Sequence, residues 1–140
     1  MQSASFKTRK ADAVVLIILM ITGYYCKTVC SETVHASVMN RLGGGEILTV
    51  HCQSKDTDLG ERSVGDGDEY GWEFSPNVWG TTLFYCDLTW DGGSYHFDAY
   101  SFGRDSVRCE TQCLWIVSGE GMYGLNGQTG FWEYLYDWQS

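Results

Sequence analysis

The chain has 140 residues, with nine Lys+Arg against 18 Asp+Glu, a formal net charge of −9, and six cysteines. A chain this acidic repels phosphate backbones and anionic lipid surfaces, which argues against nucleic acid and membranes as partners. Its length suits one domain behind a short leader.

Residues 1–10 carry Lys7, Arg9 and Lys10, and residues 13–21 form an apolar run, AVVLIILMI, broken by Thr22 and Gly23. This is the pattern of a secretory signal peptide. The run falls short of the ~20 apolar residues of a spanning helix, so a retained anchor is the weaker reading. Cleavage after Cys30 or Ser31 satisfies the small-residue rule. We therefore expect residues 1–30 to be a signal peptide and 31–140 a single secreted domain, located in the extracellular space (the apoplast). Removing residues 1–30 takes away four of the cations and Asp12. What remains is five Lys+Arg against 17 Asp+Glu, a net charge of −12. Such charge favours solubility and steers toward a basic surface.

The remaining segment shows no helical period. Val34, Ala36 and Val38 alternate with His35 and Ser37, and Leu48, Val50 and Cys52 alternate next. Tyr70, Trp72 and Phe74 form a third run, and Phe84, Cys86, Leu88 and Trp90 a fourth. Tyr95, Phe97 and Ala99 follow, then Cys113, Trp115 and Val117, and finally Trp132, Tyr134, Tyr136 and Trp138. A period of two with one apolar face predicts half-buried strands. Gly43-Gly44-Gly45, Gly65-Asp66-Gly67-Asp68, Pro76-Asn77 and Asp91-Gly92-Gly93 mark turns between them, and residues 119–130 are expected to be a long loop or an irregular hairpin. The expected fold class is all-β: an antiparallel β-sandwich of seven or eight short strands with two disulfides.

Cys52, Cys86, Cys109 and Cys113 are the even set left after export, and an even set in a short secreted chain reads as a disulfide framework. Cys109 and Cys113 are four residues apart, ~13 Å in an extended segment, too far to bond to each other. They would bond only if residues 110–112 formed a turn. The favoured pairing is Cys52–Cys113 with Cys86–Cys109, one of three possible connectivities.

Chemistry-bearing patterns are sparse. Alternate carboxylates in Lys55-Asp56-Thr57-Asp58 suit calcium in type, but the chain lacks the Asp-x-Asp-x-Asp-Gly continuation and a suitable bidentate Glu. A solvated turn, with Asp capping backbone amides, fits better. His35, His51 and His96 fall in three strands on polar faces, without zinc spacing, so no metal is expected. No G-x-S-x-G element is present, and paired cysteines leave no thiol nucleophile. Neither enzyme activity nor a cofactor is expected. Trp79, in a turn beside Gly80, is the ring expected to be most exposed, whereas the stripe from Trp132 to Trp138 reads as a core face. The partner-contact candidates are Asp56, Asp58 and Trp79, on loops carried by a rigid scaffold.

Several segments in order resemble one family. They are HCQSKDTDLG (51–60), YGWEF (70–74), TLFYCDLTW (82–90), FDAY (97–100), RD (104–105), C-x3-C-L-W (109–115) and YLYDW (134–138). Together they resemble the plant self-incompatibility protein S1 family, the S-protein homologues, over nearly all of the expected mature chain. The resemblance implies a small secreted plant protein with two disulfides and a β-sandwich. It also implies a role as an extracellular ligand in cell–cell recognition, read by a cell-surface protein receptor, as stigma ligands are read by pollen. We expect the chain to act as a monomer. The alternative is an apoplastic binding module for a wall glycan or a defence target. The chain departs from the family in having no glycosylation sequon at Asn40, Asn77 or Asn126, and in reading Asp56-Thr57-Asp58-Leu59-Gly60 where an acidic triplet is common.

Overall fold

In this computed structural model the described residues are 32–139. The expected leader, with Cys26 and Cys30, lies outside them. The domain contains nine strands and one short helix. In chain order they are β1 (Val34–Arg41), β2 (Leu48–Gln53), β3 (Asp58–Val64), β4 (Glu69–Phe74), β5 (Leu83–Trp90), β6 (Gly93–Ser101), α1 (Phe102–Arg108), β7 (Gln112–Ser118), β8 (Gly121–Leu125) and β9 (Trp132–Asp137).

The strands form two sheets, one ordered β4-β1-β7-β8-β9 and the other β3-β2-β5-β6. The alternating sets named from the sequence supply the inner faces. Val34, Ala36, Val38, Trp115 and Val117 come from the first sheet, and Leu48, Val50, Phe84, Leu88 and Phe97 from the second, all in one buried cluster. Neighbouring strands run antiparallel except β1 and β7, which pair in parallel from His35–Gln112 to Arg41–Ser118. The helix α1 carries the chain from β6 in one sheet to β7 in the other.

Rings close the interface between the sheets. Phe97 meets Trp115 edge-on at 5.2 Å between centroids, and Phe74 meets Phe84 at 4.6 Å. Offset and edge-on pairs of this kind add to the area they bury. One fully buried polar side chain also ties the sheets together. Asn40, at the end of β1, donates from Nδ2 to Glu46 O at 2.8 Å and to Val64 O at 2.9 Å, and its Oδ1 accepts from Leu42 N at 3.0 Å. With every side-chain group satisfied, it avoids the desolvation cost of a buried amide.

Three elements exceed the sequence expectation. β3 escaped because only Leu59 and Val64 of its seven residues are apolar and it lies at a sheet edge. The helix escaped because its single buried residue is Asp105, which gives no apolar stripe. β8 lies inside residues 119–130, expected as a long loop or an irregular hairpin, and pairs antiparallel with β7; its glycines serve packing rather than turning. A Cβ on Gly121 would collide with Tyr136 O, and one on Gly124 would sit 2.9 Å from the Trp115 ring.

The aromatic stripe of β9 also differs from expectation. Tyr123 pairs with Tyr134 but Met122 pairs with Tyr136, so Leu135 is an extra, bulged residue. A bulge changes which face the following side chains take. Tyr136 and Trp138 pack against the core, while Trp132 and Tyr134 stay 40% and 47% exposed.

The disulfide pairing corrects the expected one. Cys52 is bonded to Cys86, and Cys109 to Cys113. Cys52 and Cys86 are register partners on β2 and β5, both facing inward, with Cα atoms 4.0 Å apart. Alternation placed both inside but could not show that strands separated by β3 and β4 are neighbours. The chain is not extended between Cys109 and Cys113. It leaves α1, turns, and enters β7 at Gln112, bringing the two Cα atoms to 5.1 Å. The turn through residues 110–112 is therefore the alternative that holds.

Candidate functional site

Two connections meet at one end of the sandwich. The β2–β3 turn is tight: Ser54 N donates to Thr57 O at 2.7 Å and Thr57 N donates to Ser54 Oγ at 3.1 Å. This leaves Asp56 exposed at the tip. The β4–β5 loop is held by Asn77. Its backbone N donates to Thr82 Oγ1 at 2.8 Å, its Nδ2 to Thr81 Oγ1 at 2.9 Å, and its Oδ1 accepts from Thr81 N at 3.1 Å. Gly80 has a φ of +70° and lies so near the Phe102 ring that a Cβ would stand 3.0 Å from it. The loop is thereby fixed against α1, and it presents Val78 and Trp79 at 78% and 83% exposure. A cleft of about 810 Å³ lies between the two connections.

The expected contact residues are thus divided. Asp56 and the loop of Trp79 flank this cleft. Asp58 belongs instead to the outer face of the four-stranded sheet. There its Oδ1 lies 2.6 Å from His51 Nε2 and accepts from Gly60 N at 2.9 Å. The Gly60 amide first, and then His51, hold the Asp58 carboxyl below its ordinary value. The ionised form is favoured in the fold, so this contribution is present above about pH 4 and is lost as pH falls through the lower folded-state value. In a carbon-detected titration, the Asp58 carboxyl should show a midpoint below that of an unperturbed aspartate. His51→Ala should raise that midpoint only in part, because the amide bond survives; a full return to the ordinary value would show the amide contact to be absent.

Asp58 is one corner of a wider polar lattice that sequence reading did not assemble. Glu61, His51, Asp87 and His96 are successive register partners across β3, β2, β5 and β6. His96 Nδ1 lies 2.6 Å from Asp87 Oδ1. Alternation had placed His51 and His96 on polar faces, but their carboxylate neighbours depend on strand order. Among the described residues, no three His, Cys, Asp or Glu side chains are placed to hold a metal ion.

A second cluster is buried. Asp105 accepts from Arg104 Nε and Nη2 at 2.8 and 2.6 Å, from Arg108 Nε at 2.8 Å and from Ser101 N at 2.8 Å. Both guanidinium groups stack on Trp115, at 5.2 and 4.8 Å from ring centroids. Trp115 in turn donates from Nε1 to Ala99 O at 2.9 Å. Arg104 also reaches Tyr136 Oη at 3.0 Å, and Arg108 reaches Leu125 O at 2.9 Å. Burial alone would lower the Arg104 pKa, but the Asp105 carboxylate outweighs it and the net shift is upward. The cluster joins α1, β6, β7, β8 and β9, so it positions the scaffold.

The sequence profile of the plant self-incompatibility protein S1 family matches residues 35–138. The chain belongs to the plant self-incompatibility protein S1 family. It is 37% identical over 102 residues to the self-incompatibility protein S1 of Papaver rhoeas, covering 71% of this chain and 73% of that protein. It is 38% identical over 104 residues to S-protein homolog 3 of Arabidopsis thaliana, covering 72% and 69%. A solved self-incompatibility protein homologue matches with a TM-score of 0.62 and 19% identity, over 79% of this chain and 98% of that one. That protein is described as one of a widespread family of small, highly stable, secreted proteins from plants. The two-sheet, two-disulfide fold is therefore that of the family. The segments that first suggested S1 kinship hold the scaffold. Arg104-Asp105 and the Cys-Leu-Trp strand build the buried cluster, and Tyr136 and Trp138 close the core. Trp79 lies outside these segments, and Asp56 lies within the 51–60 segment but on the exposed tip of its turn.

Proposed function

We propose that this protein is a secreted recognition ligand of the S1 type, read by a cell-surface protein receptor through its surface loops. Residues 1–30 act as a cleaved leader, and residues 31–140 act alone in the apoplast without catalysis. The observation that carries this reading is the Val78–Trp79 loop. It is almost fully solvated yet rigidly held, beside the acidic tip at Asp56, on a frame pinned by two disulfides. Large rings held rigidly and left in solvent are the residues that dominate protein interfaces. The surface charge adds long-range steering toward a basic partner. Arg104 and Arg108 are committed to Asp105, so Arg41, Lys55 and Arg62 are the cations left for the outside of the described domain.

Binding of the fluorescently tagged, secreted protein to intact plant cells tests this. Saturable binding is expected, abolished by protease treatment of the cells and weakened several-fold by Asp56→Lys. Binding that protease treatment leaves undiminished, or that does not saturate, rules out a protein receptor.

A further inference from the structure

The cleft between the β2–β3 turn and the β4–β5 loop has a lining that suits one ligand chemistry. Its lining includes the apolar side chains of Phe74, Leu83 and Phe84, and Tyr85 adds a further ring. Its walls carry hydroxyl and amide groups from Ser54, Ser75, Asn77, Thr81 and Thr82. The volume of about 810 Å³ lies within the range of small-ligand sites, which pair apolar surface with a few placed polar groups.

The hydrogen-bond inventory sharpens the match. Thr81 and Thr82 each use the hydroxyl oxygen to accept a bond from Asn77, so each O–H proton remains to donate outward. The Asp56 carboxylate has no partner within the described residues and can accept from two adjacent hydroxyls. Trp79 is not part of the lining itself; it stands on the same loop, beside Asn77 and Thr81, and offers a solvated ring just outside the cleft to a chain longer than the cleft. Donors, an acceptor, apolar lining and a ring together fit a pyranose chain, which has apolar C–H faces and a rim of hydroxyls. Lys55 and Asp56, the charged side chains of the lining, balance each other, and the net charge of −12 over residues 31–140 disfavours a uronate-rich chain, so a neutral ligand fits best.

We propose that this cleft binds a neutral oligosaccharide segment, with Trp79 stacking on a sugar face and Thr81, Thr82 and Asp56 bonding its hydroxyls. The proposal does not rest on the receptor reading: a protein that binds no receptor can still fill this cleft, and the reverse holds too.

Calorimetric titration of the protein, secreted by cells that express the full chain, provides the test. The probes are cellohexaose, xylohexaose and mannohexaose, with hexagalacturonate as the acidic comparison and a lysine-rich peptide as the protein-like one. At least one neutral probe should bind in the micromolar to millimolar range, and hexagalacturonate more weakly. Trp79→Ala should weaken the neutral probe roughly tenfold, about the worth of one stacked ring. Its melting temperature should not move, because the ring is 83% exposed. Thr81→Val, which keeps shape but removes both the outward donor and the acceptor of Asn77 Nδ2, should weaken the same probe several-fold. The idea is overturned if no neutral probe binds at millimolar concentration, if hexagalacturonate binds as well as the best neutral probe, or if Trp79→Ala leaves affinity unchanged. Filling of the cleft by the peptide, with the sugars inert, overturns it equally.

Discussion

Asp105→Ala is expected to remove about 3–5 kcal/mol of stability, the usual consequence of deleting one partner of a buried ion cluster. The carboxylate is fully buried and accepts four bonds, three from guanidinium groups and one from Ser101 N. Without it two arginines are left charged beside each other, with side chains only 31% and 10% exposed. Neither can shed its proton, and both are held in place by stacking on Trp115. The thermal midpoint should drop by more than about 12 °C in a domain of this size. Asp91→Ala, on an exposed turn, should stay within about 0.5 kcal/mol of the parent in the same urea titration. A loss below about 1.5 kcal/mol for Asp105→Ala would show that the arginines reach solvent once released. Swelling of the unfolded state is not the cause invoked, so the urea dependence of stability should keep its slope.

The two disulfides should contribute unequally. Cys52–Cys86 closes a separation of 34 residues and Cys109–Cys113 one of four. Chain-entropy arguments give about 4 kcal/mol for the first and about 2 kcal/mol for the second. The paired replacement Cys52→Ala with Cys86→Ala should therefore cost roughly twice as much as Cys109→Ala with Cys113→Ala. Denaturant midpoints of the two variants measure this directly. Peptide mapping without reduction should recover one cross-linked pair of distant peptides and one internal Cys109–Cys113 loop. Equal losses, or a reversed order, would mean that the short bridge does more than restrict the unfolded chain, for example by seating α1.

How legible was this in the sequence? Alternation located most strands and their inward faces, because burial on one side of a sheet imposes a period of two that no partner strand is needed to reveal. Pairing is different in kind. Cys52 and Cys86 face each other only because β5 adjoins β2, and that adjacency is a property of strand order. The same gap hid the lattice of His51 with Asp87 and the bulge at Leu135 that exposes Trp132. Trp79 was legible as an exposed ring, since a turn beside glycine leaves no face to bury it. The meeting of its loop with the Asp56 turn at one cleft was not, because two connections far apart in sequence come together there. The Arg104-Asp105 pair was visible as a motif, yet its role required Arg108, Trp115 and Tyr136 to converge.

The parallel pairing of β1 with β7 has a consequence for how the chain reaches this structure. β2, β3, β5 and β6 lie between residues 48 and 101, so their sheet needs no contact with either end of the domain. The five-stranded sheet cannot be completed until residues 112–118 exist, because they flank β1 on the side opposite β4. A central strand that waits for a partner some eighty positions away raises contact order, and loop closure must precede its reward. For a chain emerging amino end first, Val34–Arg41 would be among the earliest segments made and among the last to be fully paired. During that interval its apolar alternation stands half-covered, and the hydroxyl- and imidazole-bearing residues Ser37 and His35 between the valines lower its tendency to pair with other chains.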